Sequence, residues 1–144
     1  GGLCAGAVER ELQTLDTFGE NIGIAFQLQD DLLDMVADQT KLGKRIGNDI
    51  LEKKKTILIL KAKEQAESEE DIELISKIYS SAIIDNKSIK KFDSLFQRLG
   101  IYEQVRKEID SYVEKAIETL EDLPRNEGTR MLEFLANKIN ERVF

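Results

Sequence analysis

The chain of 144 residues has no histidine and only one cysteine, one proline and nine glycines. Without histidine it lacks the commonest zinc ligand and the commonest general base. Cys4 alone cannot close an internal disulfide, which fits a reducing cytoplasm. One proline and few glycines leave long stretches free to be helical. Positive charge is also short: 21 Lys and Arg face 28 Asp and Glu, a net charge of −7. A chain so acidic is a poor match for nucleic acid, whose phosphates call for clustered basic surface. No apolar run approaches the roughly 20 residues of a membrane span. The opening, Gly1-Gly2-Leu3-Cys4-Ala5, shows no basic region of a signal peptide.

What is present is helical periodicity, with 41% apolar and 34% charged residues. Leu12, Leu15, Phe18, Ile22 and Phe26 recur at three- and four-residue steps, which predicts a helix over about 9–37. Residues 38–48 contain two glycines and turn-forming polar groups and read as an ordered loop. A second helix is expected from Asp49, a cap or first-turn acid, carrying Ile50, Ile57, Leu58 and Leu60 and fading at 67–70. Ser68 and Asp71 form a capping-box pattern that opens a helix to about 81, with Ile72, Leu74, Ile75 and Ile78 inward. Further helices are expected at 87–99, stopped by Gly100, at 101–121, and at 129–142 with Met131, Leu132, Leu135 and Ile139 on the apolar face. No strand pattern, internal repeat or low-complexity segment appears. The fold class is all-α, a helical bundle. Gly1 to Ala7 is small and apolar and reads as the end of a buried helix. The expectation is therefore a fragment, although Gly1-Gly2 alone reads equally well as a cloning scar.

Chemistry concentrates at Asp30-Asp31-Leu32-Leu33-Asp34. Three carboxylates close an otherwise apolar helix, and unpaired buried charge is costly. A hard cation such as Mg²⁺, held by one or two carboxylates with waters and phosphate oxygens, would resolve the cost. Asp30 and Asp34 are i and i+4 and share a face; Asp31 lies about 100° round the helix. Gln27, Gly23 and Gly19 continue that face toward the N-terminus. The stripe reads either as the wall of a cavity for an elongated apolar ligand or as close helix–helix packing at the glycines. Fourteen positions beyond Asp30, Lys44 opens a glycine-flanked basic loop that could meet a phosphate brought in with the metal. Lys53, Lys54 and Lys55 follow; Lys53 and Lys55 read as a solvated face, and Lys54 as a candidate phosphate contact.

Phe26-Gln27-Leu28-Gln29-Asp30-Asp31-Leu32-Leu33-Asp34, then Gly43-Lys44, then Gly47-Asn48-Asp49 and Lys53-Lys54-Lys55-Thr56, resemble the second aspartate-rich motif and its sequel in the trans-isoprenyl diphosphate synthases. The resemblance covers residues 19–56 and is specific in its combined spacing. It implies a chain-elongating prenyltransferase joining an allylic diphosphate head-to-tail to isopentenyl diphosphate. It implies Mg²⁺ on Asp30, Asp31 and Asp34, allylic diphosphate on Lys44 and on Lys54, Gln27 facing the reacting allylic centre, and Phe26 packed beneath it. A homodimeric cytoplasmic enzyme is expected for the full-length protein.

The chain departs from the family pattern in three places. Lys53 stands where the family has the glycine of G-K-x-T, and no proline follows Thr56. The first aspartate-rich motif, a Lys-Thr pair and the basic residues for isopentenyl diphosphate are absent from these residues. Residues 1–144 thus resemble the C-terminal portion of one isoprenoid synthase domain, expected not to turn over alone. The competing readings are a non-catalytic regulatory subunit of a prenyl synthase heteromer, a terpene cyclase fragment, and a plain helical bundle whose acids face solvent.

Overall fold

The computed structural model describes residues 1–36, 46–80 and 83–141. Among them are seven α-helices and no strand, as an all-α fold requires. They are α1 (Glu9–Val36), α2 (Asn48–Leu51), α3 (Ile57–Gln65), α4 (Glu69–Ser76), α5 (Asn86–Arg98), α6 (Ile101–Thr119) and α7 (Glu127–Glu141). Short 3₁₀ turns, Lys77–Tyr79 and Leu120–Asp122, extend α4 and α6. No described helix is long and apolar enough to cross a membrane.

The chain divides into two compact units, Asp30–Arg106 and Gly1–Gln29 with Lys107–Phe144. The long helices α1 and α6 each contribute to both.

In the unit that holds both termini, Phe18, Ala25 and Leu28 of α1 are buried, with Ile109, Val113 and Ala116 of α6 and Ala136 and Ile139 of α7. Gln29 is almost fully buried, and its side-chain amide donates to the Ile139 carbonyl. That bond satisfies a polar group that would otherwise be costly to bury. The opening residues form turns with Leu3 and Cys4 exposed, not the end of a buried helix. On α7, Met131 and Leu135 are 54% and 52% exposed; the helix buries Ala136 and Ile139 instead.

The other unit has its core in Leu32 and Met35, Leu58 and Ile59, Leu74 and Ile75, and Phe92, Leu95 and Phe96. Phe96 packs edge-on against Tyr102 at 5.9 Å between ring centres. The Tyr102 hydroxyl donates to Asp93 at 2.8 Å, and burial followed by this carboxylate pushes the phenol well above its ordinary value. Ser68 Oγ accepts from the Asp71 amide, so the capping pattern is realised. Asp71 then pairs with Arg98 at 2.6 Å, tying α4 to α5. Ile72, expected inward, is 53% exposed.

The single helix expected from Asp49 to about residue 67 is two helices, α2 and α3. The break is a Schellman turn: the Lys54 amide donates to the Asp49 carbonyl at 2.8 Å and the Lys53 amide to Ile50 at 3.0 Å. Lys53 has φ 57°, the left-handed region that favours glycine. This is the position at which the family pattern carries glycine. Leu60 of α3, expected inward, is exposed.

Candidate functional site around the aspartates of α1

The last two turns of α1 carry the three aspartates, and the structure gives each a different surrounding. Asp30 is exposed. Asp31 is 9% exposed, and its Oδ2 accepts the Ile57 amide at 3.0 Å, the first residue of α3. Asp34 is half-buried; its Oδ2 accepts the Asp49 amide at 3.1 Å, and its carbonyl accepts the Gly47 amide at 2.8 Å. A free helix N-terminus presents unsatisfied amides and a partial positive charge, so a carboxylate there is favourable. Thr56, at the cap of α3, makes no side-chain cap bond, and Asp31 supplies one from α1.

Burial raises the Asp34 carboxyl above its ordinary value; the Asp49 amide opposes the rise and the Asp49 carboxylate adds to it. Lys54 Nζ lies 2.6 Å from Asp49 Oδ1 and 3.2 Å from Glu52 Oε2. These bonds hold the exposed ammonium charged well above its usual range. Asp49, expected as a cap or first-turn acid within the family motif, stands between Asp34 and Lys54. The signal for that role was its five-residue separation from Lys54, which a continuous helix would have misaligned and the Schellman turn brings together.

Gly47 makes the approach possible. Its φ is 72°, and a Cβ there would sit 2.7 Å from Ile89 Cγ2. The segment from Gly47 to Ile57 is thus fastened to α1 at both ends, by Asp34 at its start and Asp31 at its finish.

Toward the N-terminus of α1, Gln27 is exposed, and Cβ atoms at Gly19 or Gly23 would meet nothing within 4 Å. Among the described residues, then, the glycines make no close helix–helix packing, and the stripe they share with Gln27 is open. Phe26, expected to be packed, is 49% exposed. Lys44 and most of the loop expected at 38–48 lie outside the described residues.

Among the described residues, no group of three or more Asp, Glu, Cys or His side chains is arranged to hold a metal ion. The donor set still suits Mg²⁺, which takes one or two protein carboxylates and completes its octahedron with water and phosphate oxygens. Asp30 is exposed, and Asp34 is half-buried with its Oδ2 engaged by the Asp49 amide.

Comparison with known proteins agrees with the motif. The chain is 36% identical over 142 residues to the short chain isoprenyl diphosphate synthase of Methanothermobacter thermautotrophicus, covering 99% of this chain and 43% of that protein. The crystal structure of a decaprenyl diphosphate synthase from Rhodobacter capsulatus superposes with a TM-score of 0.85 at 29% identity, over 99% of this chain and 43% of that one. A geranylgeranyl pyrophosphate synthase from Corynebacterium glutamicum, complexed with isoprenyl diphosphate and magnesium, gives a TM-score of 0.78 at 28% identity, over 96% and 39%. The chain therefore spans less than half the length of these relatives. Residues 1–99, which contain the aspartates of α1 and the pinned segment after them, match the family described as Polyprenyl synthetase, and the chain belongs to that family.

Proposed function

We propose that this chain provides the second of two magnesium–diphosphate jaws in a prenyltransferase that condenses an allylic diphosphate head-to-tail with isopentenyl diphosphate. The observation that carries this reading is the exposed Asp30 on one helix face with Asp34, beside a pinned segment that presents Lys54. Asp30 and Asp34 would hold Mg²⁺. When bound, the ion neutralises the negative charge that grows on the departing diphosphate as the allylic C–O bond breaks.

The chain's own residues do the rest. Lys54 would exchange its bond to Asp49 for a diphosphate oxygen, an exchange between two charge-assisted bonds of similar kind. Lys44 would add a second ammonium, by its position in the family pattern. Gln27, three residues before Asp30 on α1, would turn its uncharged amide toward the allylic carbon. An amide oxygen there can stabilise a developing cation without acting as a nucleophile of comparable strength to a carboxylate.

The test is titration of geranyl diphosphate into the 144-residue chain with and without Mg²⁺, together with a condensation assay containing isopentenyl diphosphate. Magnesium-dependent binding without product is expected, because the first aspartate-rich motif is not among these residues. Binding that ignores magnesium would contradict the reading.

A further inference from the structure

The family resemblance counts all three aspartates as metal ligands, but the structure treats them unequally. Asp31 is buried, points at the first amide of α3, and lies about 100° round the helix from Asp30. Between its anchor at Ile57 and the Asp34 anchor at Gly47 and Asp49 runs the segment that carries Lys54. We propose that Asp31 is a positioning residue: its carboxylate fastens the start of α3 to α1 and so sets where Lys54 stands relative to Asp30 and Asp34.

Three features support this. Thr56, at the cap of α3, makes no side-chain cap bond, so loss of Asp31 leaves the Ile57 amide without the bond it now makes. Lys53 occupies a left-handed turn one residue before Lys54, a conformation that is strained for a non-glycine residue and needs its flanks held. Thr56 is buried next to the anchor, so the end of the segment is seated and not merely tethered. The magnesium-related part of the inference rests on the proposed function; the anchoring part does not.

The experiment uses three variants of the 144-residue chain and two readouts. One readout is amide hydrogen exchange at Ile57. The other is calorimetric binding of inorganic pyrophosphate in the presence of Mg²⁺. Asp31→Asn keeps an oxygen acceptor for the amide and removes the charge a metal would need. It should leave pyrophosphate affinity within about threefold of the parent and keep Ile57 protected. Asp31→Leu should speed exchange at Ile57 by about tenfold or more and weaken pyrophosphate binding. Asp30→Asn, the ligand control, should abolish magnesium dependence and leave Ile57 exchange unchanged.

If Asp31→Asn loses magnesium-dependent binding as fully as Asp30→Asn does, Asp31 is a ligand and the proposal is overturned. Unchanged Ile57 exchange in Asp31→Leu overturns it as well. Should the parent chain bind no pyrophosphate with magnesium, the proposed function fails, and the exchange measurement still decides whether Asp31 is the anchor.

Discussion

Asp31 Oδ2 and the backbone amide of Ile57, 26 positions apart in the chain, are joined by a 3.0 Å hydrogen bond. The bond makes one member of an acidic motif the cap of a different helix. Two neighbouring carboxylates on one helix end therefore divide their work: Asp30 stays exposed while Asp31 holds backbone. A carboxylate that caps an amide is partly neutralised by it, which lowers the cost of burying the charge.

Replacing Lys53 by glycine should stabilise the chain. The residue sits at φ 57°, at the position of a Schellman turn where glycine is strongly favoured. Relief of the left-handed conformation outweighs the extra entropy of a glycine in the unfolded chain, for a net gain of about 0.5–1 kcal/mol. The bond from Lys53 Nζ to the Ser80 carbonyl is exposed and contributes little against this. Urea unfolding of Lys53→Gly should show a raised midpoint; a lowered midpoint would mean that the lysine, not the turn, is what the position requires.

Gly47→Ala should do the reverse. Its φ of 72° and the 2.7 Å approach of a new Cβ to Ile89 Cγ2 combine backbone strain with overpacking, for a loss of about 2–4 kcal/mol. Because the Gly47 amide bonds to Asp34, the same variant should weaken protection of that amide in hydrogen exchange. A variant as stable as the parent would show that Ile89 can give way.

Asp71 should make the second unit sensitive to acid. The Ser68 hydroxyl, followed by Arg98, holds its carboxyl below the ordinary value of 3.8. A carboxylate depressed in the folded state binds fewer protons there than in the unfolded chain, so its stabilisation is complete above pH 3.8 and is lost as pH falls through the folded value. Thermal unfolding between pH 5 and pH 2 should therefore decline less steeply for Asp71→Asn than for the parent. Equal slopes would remove Asp71 from the account of acid sensitivity. Ser68→Ala should cost about 1 kcal/mol at neutral pH through loss of the cap.

The 3.6-residue period was enough to find α1, α5 and α6 within two residues of their ends, since each buries one continuous stripe. Ser68 with Asp71 was readable for a similar reason: a cap is a local device with a local spacing. The break between α2 and α3 was not readable from periodicity, because nothing from Glu52 to Thr56 breaks a helix by its own chemistry. Its trace was Lys53 standing where the family carries glycine. Exposure along α7 was hidden too. Met131, Leu135 and Ile139 lie on one stripe, but periodicity gives a face and not how far along it a neighbour extends, and burial reaches only Ile139. At the site, sequence spacing put Asp30 and Asp34 on one face. It could not show that Asp31 meets Ile57, since that pairing depends on how the chain returns after the turn at Lys53.

In the proposed function, Asp30 and Asp34 carry a magnesium-bridged diphosphate. Its most direct test is calorimetric titration of geranyl diphosphate, with and without Mg²⁺, into the parent chain and the folded double variant Asp30→Ala with Asp34→Ala. Magnesium-dependent binding by the parent is expected, with its loss in the double variant by about 100-fold or more. Equal magnesium-dependent binding by both chains would contradict it.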